Sequence, residues 1–66
     1  MITVADIGRR VEDAAGRVGV LRALIRDYED PADMPGARRK RPTAFLWPEE
    51  GGREWLVSPH DVRRVR

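Results

Sequence analysis

Residues 13–20 read Asp-Ala-Ala-Gly-Arg-Val-Gly-Val. The predicted fold depends on whether this segment forms a turn followed by a strand or part of a long helix. Its first four residues have the composition of a tight turn, in which Gly16 can adopt a positive φ that other residues avoid. Arg9–Glu12 before the turn and Arg17–Asp27 after it then form two strands. Gly19 inside the second strand marks either a bulge or a close approach of another backbone.

A helical pattern competes with these strands over residues 3–28. Apolar residues recur there at alternating spacings of three and four, as in a coiled coil, and Thr3 with Asp6 resembles a capping box. The apolar positions are Val4, Ile7, Val11, Ala14, Val18, Leu21, Ile25 and Tyr28. Each glycine inside a helix costs about 0.5–1 kcal/mol, and this segment holds three glycines and several β-branched residues. We therefore expect strands, and a helical hairpin or helical dimer remains the alternative.

The second half of the chain predicts three further strands. Thr43–Trp47 and Arg53–Val57 form a hairpin around Glu49–Gly52, whose two glycines supply positive φ. Ser58 is then expected to cap a single helical turn with Pro59 in its first position and Asp61 in its third. Val62–Val65 is the last strand.

This order of elements predicts an all-β, five-stranded SH3-like barrel with one short 3-10 turn near the C-terminus. We expect a single domain over residues 1–66, with a long exposed loop at 29–42. That loop carries three prolines, one glycine and four consecutive basic residues, which is a composition typical of loops.

Two short motifs support this fold by resemblance. Residues 16–20 (Gly-Arg-Val-Gly-Val) and 51–55 (Gly-Gly-Arg-Glu-Trp), followed by Pro59 and Val62-Arg63, resemble a group of small, mostly uncharacterised actinobacterial proteins. The first half is also similar to KOW and PRC-barrel domains, which are SH3-like. The resemblance implies an SH3-like barrel and carries no function that can be transferred to this chain.

Length and composition exclude several classes of protein. The chain has 66 residues, no cysteine, one histidine and a net charge of +2, so a disulfide scaffold, a structural zinc site and a multi-domain enzyme are not expected. No apolar run approaches the roughly 18 residues of a membrane span. Met1–Asp6 has neither the basic nor the apolar region of a signal peptide. We expect a cytoplasmic protein without a membrane partner.

No residues are arranged for catalysis. Ser58, His60 and Asp61 are the residue types of a hydrolase triad, but side chains on one turn diverge, whereas a triad converges from separate elements. The adjacent acids Glu49 and Glu50 lie on an exposed loop and make a poor acid–base pair. We predict that the protein is not an enzyme and has no catalytic residue, metal site, cofactor or small-molecule substrate.

One cluster of basic residues suggests nucleic acid as a partner. Four adjacent cations on a loop can contact successive phosphates and release counterions without reading sequence. The candidate residues are Arg38, Arg39, Lys40 and Arg41, with Arg63 and Arg64 near the C-terminus. The alternative is a solvated loop, or one neutralised by the acidic run Asp27, Glu29, Asp30 and Asp33.

The strand Ala44–Trp47 suggests a protein partner instead. Ala44 and Leu46 lie on one of its faces and Phe45 and Trp47 on the other, so both faces are apolar. One face covers the core, and the second is covered by the long loop or by a partner. We expect Trp55 in the core. Our first hypothesis is a non-enzymatic interaction module, with a regulatory role, that binds another protein or itself through Phe45 and Trp47; a nucleic-acid-binding barrel is the alternative.

Overall fold

The computed structural model describes residues 1–37 and 39–65. The described chain contains five strands and two short 3-10 helices (η). In chain order these are η1 Val4–Asp6, β1 Arg10–Asp13, β2 Val18–Tyr28, β3 Arg41–Pro48, β4 Trp55–Val57, η2 Pro59–Asp61 and β5 Val62–Arg64.

The five strands form one antiparallel sheet in the order β4-β3-β2-β1-β5. The all-β class and the strand number predicted from the sequence are confirmed. β4 and β5 are the two ends of this order within the described residues, so the sheet is not closed and a barrel is not shown.

The turn at residues 13–16 decides between strands and a helix in the first part of the chain. Gly16 adopts a φ of +86°, and the Asp13 carboxylate accepts hydrogen bonds from the backbone N–H groups of Ala15 and Arg17 at 3.0 and 2.9 Å. In a helix interior these N–H groups would bond to backbone carbonyls; here the Asp13 side chain satisfies them, as is typical of a turn. The strand prediction for this segment is therefore confirmed, and the helical alternative is wrong.

The sequence predicted only the 3-10 turn near the C-terminus, so η1 near the N-terminus was not predicted. The Thr3–Asp6 capping box does form, with the Thr3 N–H donating to Asp6 at 2.8 Å and the Ala5 N–H donating to the Thr3 hydroxyl at 3.3 Å. It caps only three residues, because Ile7 already has an extended backbone, with φ −60° and ψ 128°, and Gly8 follows at a φ of +92°. The capping signal was correct, but its extension into a long helix was wrong.

The boundaries of all five strands differ from the predicted ones. β1 and β2 each lie one residue later than predicted, and β5 ends at Arg64 rather than Val65. β3 begins at Arg41 rather than Thr43, so Arg41 and Pro42 belong to a strand and not to the loop. β4 begins at Trp55 rather than Arg53. The predicted cap of η2 is present, since the Ser58 hydroxyl accepts a hydrogen bond from the His60 N–H at 3.3 Å and Pro59 occupies the first turn.

The hydrophobic core is small. Among the described residues it consists of Ile2, Val11, Leu21, Ala44, Leu46 and Val62. Trp55 was expected inside it; the ring instead packs against the core and remains half-buried. A core of this size gives a 66-residue chain little stability to spare.

The molecule is elongated rather than spherical. Its radius of gyration is 12.0 Å and its principal extents are 40 × 24 × 19 Å, whereas about 11 Å is typical of a compact chain of this length. β2 and β3 pair over most of their lengths, with register shifts between Leu21 and Ala23 and between Ile25 and Tyr28. Such irregularities bend a strand. They do not lie at Gly19, which pairs regularly with Val11 and Pro48. Of the two alternatives predicted for Gly19, the close approach of another backbone is the one observed, since a Cβ there would lie 2.6 Å from the Trp47 carbonyl oxygen.

Candidate interaction surface

The two sides of β3 are both apolar but differ in how deeply their side chains are buried. Ala44 and Leu46 are completely buried in the core, whereas Phe45 is half-buried and Trp47 is 43% exposed. Residues directly opposite each other in an antiparallel pair share a side of the sheet. The pairing of β2, β3 and β4 therefore defines an outer face, which consists of Val20, Ala23, Ile25, Thr43, Phe45, Trp47 and Leu56.

Trp47 is the most prominent side chain of the outer face. The Arg22 guanidinium lies 4.3 Å from the centre of its ring, a distance suited to a cation–π interaction. Arg22 occupies the register shift between Leu21 and Ala23, and its Nε lies 4.0 Å from a Glu54 carboxylate oxygen. Indole and guanidinium thus form one projecting unit, which we call the Trp47–Arg22 knob.

Phe45 is less accessible than Trp47, and the ring of Tyr28 packs against it. The two ring centres are 4.9 Å apart and the rings are nearly perpendicular, at 88°, an arrangement favoured by the aromatic quadrupole. Ile25 and Leu56 remain exposed on either side of Phe45, each by 39%. The sequence identified Phe45 and Trp47 as candidates but missed these two residues. Alternation along β4, with Trp55 facing the core, was the signal that could have found Leu56. In β2 the register shift between Leu21 and Ala23 interrupts the alternation before Ile25.

A groove of about 250 Å³ lies beside the outer face, at the end of the β2–β3 hairpin. Its apolar wall includes Tyr28, Pro42 and Leu56, and Thr43 also lines it. Asp30, Asp33 and Arg41 are its charged residues. We call this the Tyr28–Leu56 groove.

The candidate basic residues fall into two separate groups. Arg39, Lys40 and Arg41 are exposed, and Arg38 lies outside the described residues. Asp27, Glu29 and Asp30 make no ion pair with this group in the described part of the chain. Neutralisation by these three acids is therefore not seen.

The two C-terminal candidates bind carboxylates of this chain. Arg63 donates to Glu12 of the neighbouring strand, with 2.8 Å between its Nε and the carboxylate oxygen. Arg64 donates to Asp6 at 2.7 Å and to the Met1 carbonyl oxygen at 3.2 Å. Both side chains attach β5 to the rest of the fold, and two strands separate β5 from β3 in the sheet.

Asp6 and Asp13 have pKa values below the usual range of an aspartate. Hydrogen bonds from Arg64 and from the Thr3 N–H lower the pKa of Asp6, a carboxyl group that is only 4% exposed. The Arg17 N–H and the Trp55 indole lower the pKa of Asp13 against the opposing effect of burial. Because the remaining contacts of both groups are structural, we assign them to the fold rather than to an interaction surface.

Ser58, His60 and Asp61 are positioned as the sequence analysis expected. All three belong to the capped turn at η2, where the Ser58 hydroxyl binds the His60 backbone and not its imidazole. Over the described residues, no three His, Cys, Asp or Glu side chains are grouped in a way that could hold a metal ion. No helix found in residues 1–37 and 39–65 is long and apolar enough to cross a membrane.

Comparison with known proteins finds no match to this chain among family models, curated proteins or solved structures.

Proposed function

We propose that this protein is a non-enzymatic interaction module, with a regulatory role, that binds a protein through its outer face. The observation that supports this is the 43% exposure of Trp47 beside Ile25 and Leu56, each 39% exposed, on a chain with so small a core. Exposed apolar patches on small domains mark interaction sites. Tryptophan and arginine are also the residues that most often dominate binding energy at protein interfaces.

The fold that we propose for this module is SH3-like. The order of the elements supports it: two strands around a tight turn, a long third strand after the loop, a short hairpin, a 3-10 turn and a final strand that pairs with β1. The register shifts in β2 would let one strand contribute to both halves of a curled sheet.

Photo-crosslinking tests the binding proposal. A photoreactive phenylalanine analogue replaces Leu56 on the outer face in cells that produce the protein, and the same analogue replaces Ala14 in the β1–β2 turn as the control. We expect a protein adduct from position 56 that is lost when Trp47→Ala is added. Equal adducts from both positions, or none from position 56, would contradict the proposal.

A second candidate function is electrostatic binding of nucleic acid by the basic loop. Its support is the exposure of Arg39, Lys40 and Arg41 without ion pairs to Asp27, Glu29 or Asp30. Replacing residues 38–41 with alanine should weaken binding to all sequences equally. It should also flatten the salt dependence, whose slope is about −0.9 per neutralised phosphate on duplex DNA.

Arg63 and Arg64 provide the matched control for this second candidate. Their guanidinium groups already bind Glu12 and Asp6, so alanine at both positions should change the salt slope less than alanine at 38–41. Fluorescence anisotropy with single-stranded and duplex oligonucleotides measures both effects. If the native chain binds neither oligonucleotide at about 50 mM salt, where phosphate contacts are strong, this candidate is wrong.

A further inference from the structure

We infer that the protein bound by the outer face is a second copy of this chain, in a two-fold symmetric dimer. In this arrangement the Trp47–Arg22 knob of each copy enters the Tyr28–Leu56 groove of the other. The inference rests on the proposed function, because it names the partner of the same surface.

The accessible surface of the chain is large enough to bury an interface of standard size with a second copy. Its accessible surface is 5005 Å², whereas a monomer of 7.5 kDa typically exposes about 4,250 Å². The excess of about 750 Å² is close to the roughly 800 Å² that each partner buries in an interface of standard size. The core offers a second reason, since among the described residues only Leu21, Leu46 and Val11 are large side chains that are fully buried. Association that covers the outer face would add the apolar burial that this core lacks.

The outer face is arranged so that it can pack against itself. Thr43, Phe45 and Trp47 follow one another on this side of β3. Thr43 is only 7% exposed and lines the groove. Trp47 and Thr43 lie about 13 Å apart along the strand, at about 3.3 Å per residue, with Phe45 midway between them. A two-fold axis that lies in the interface and crosses β3 at right angles at the level of Phe45 therefore places each Trp47 over the Thr43 of the other copy. Such an interface uses one surface twice, as two-fold dimers do.

The charges complement each other in the same arrangement. Arg22 is at the Trp47 end of the face, and Asp30 lines the groove at the other end. The two-fold axis brings Arg22 of one copy towards Asp30 of the other, and this opposite-charge pair occurs twice in each dimer.

Charge reversal with mixing of variants tests this arrangement. In a homodimer of the Arg22→Glu variant, the introduced carboxylate would face Asp30. In a homodimer of the Asp30→Arg variant, the introduced guanidinium would face Arg22, so each variant alone should dissociate. In an equimolar mixture, one copy of each variant restores an attractive contact in place of each repulsive one.

Sedimentation velocity should therefore show a native dimer, two monomeric variants and a dimeric mixture. We expect each single change to raise the dissociation constant about 10- to 100-fold, and mixing to recover most of that loss.

Two further variants keep this experiment decisive. Arg9→Glu changes the charge by the same amount just before β1, two strands away from β3, and should leave the dimer intact. Leu56→Arg disrupts the same face without altering the Asp30 loop, and should also give monomers. It replaces Asp30→Arg as the disrupting variant if circular dichroism shows that Asp30→Arg does not fold.

The outcomes that would overturn the inference differ from those that would overturn the proposed function. A native chain that remains monomeric at about 1 mM, where even a weak dimer would form, excludes a second copy as the partner. A mixture of variants that stays monomeric excludes the knob-in-groove arrangement. Both results leave the proposed function standing if position 56 still crosslinks to a different protein. A dimer that is unaffected by Arg22→Glu and Leu56→Arg places the self-association elsewhere and overturns the inference.

Discussion

The two tryptophans of this protein have the same type of neighbour but opposite environments. A guanidinium group lies over each ring, with Arg17 3.8 Å from the centre of Trp55 and Arg22 4.3 Å from the centre of Trp47. Trp55 also donates its indole N–H to Asp13 at 3.1 Å and packs against the core. Trp47 is 43% exposed on the outer face.

This difference shows that an arginine over an indole ring does not by itself reveal what the pair is for. Around Trp55, the cation completes a set of contacts that connects the β1–β2 turn to β4, so the pair stabilises the fold. Around Trp47, the cation shields one face of a ring that otherwise faces solvent, so the pair remains available for a partner. The number of further contacts to each ring decides between these two roles.

Truncating each tryptophan gives the largest expected contrast. Trp55→Ala should lower the free energy of unfolding by about 3 kcal/mol, the low end for a large aromatic residue, because the ring is half-buried. Trp47→Ala should lower it by less than about 1 kcal/mol, as is usual for an exposed position, while reducing association through the outer face. Urea denaturation at a protein concentration too low for dimers measures both values. Equal losses of stability would show that the two environments are not energetically different.

Gly19 tests the close packing around Trp55 without removing the ring. A Cβ atom at this position would lie 2.6 Å from the Trp47 carbonyl oxygen and 2.6 Å from the Cη2 atom of Trp55. Gly19→Ala should therefore destabilise the protein by about 1–3 kcal/mol through overpacking. Gly36→Ala is the matched control, because a Cβ there meets nothing within 4 Å. Similar unfolding midpoints for both variants would mean that the Trp55 ring and the Trp47 backbone both move aside at little cost.

The sequence predicted the local backbone well, because local residues determine it. Gly16 and Gly52 have the positive φ values expected of them, +86° and +112°, and Ser58 caps its turn. The period-2 alternation in β3 also identified its two faces correctly. In each of these places a residue type meets a local geometric requirement, so the sequence pattern alone is sufficient to predict the backbone conformation.

The rest depended on contacts between distant segments. No spacing indicates that Arg63 and Arg64 bind Glu12 and Asp6, since those partners lie more than 50 residues earlier in the chain. The bends of β2 likewise arise from its pairing with β3, which the residues of β2 alone do not specify. The outward position of Ile25 depends on these bends, because the register shift between Leu21 and Ala23 reverses which residues of β2 face outward. This is why the sequence did not identify Ile25 as part of the outer face.

The β1–β2 turn offers a smaller test, because it carries both polar partners of Trp55. Nothing lies within 4 Å of a Cβ at Gly16, so Gly16→Val should cost about 1 kcal/mol or more through its backbone conformation alone. Gly16→Asn should cost less, since asparagine tolerates positive φ better than other residues. Thermal unfolding measures the difference between the two variants. If valine proves as stable as asparagine, the turn does not require the observed φ.

The smallest expected effect is the dependence of the Trp55 contacts on pH. Because hydrogen bonds from the Arg17 N–H and the Trp55 indole hold the pKa of Asp13 below its ordinary value, the folded protein favours the ionised carboxylate. The stability that Asp13 contributes is fully present above its pKa in the unfolded chain, about 3.9, and is lost as the pH falls through the lower pKa of the folded state. Asp13→Asn should therefore lower stability at pH 7 and show a shallower loss of stability below about pH 4 than the native chain.

Asp6 supplies the comparison for this measurement, since Arg64 and the Thr3 N–H lower its pKa in the same direction. Asp6→Asn should remove a separate part of the acid-induced loss. The double variant should then show the sum of the two changes, because the two carboxylates share no partner in the described hydrogen bonds. Urea denaturation between about pH 2 and pH 7 brackets the pKa of the unfolded aspartates. If Asp13→Asn retained the acid sensitivity of the native chain, the Asp13–Trp55 hydrogen bond would not depend on charge, and the stability of the Trp55 region would come from packing and the Arg17 contact alone.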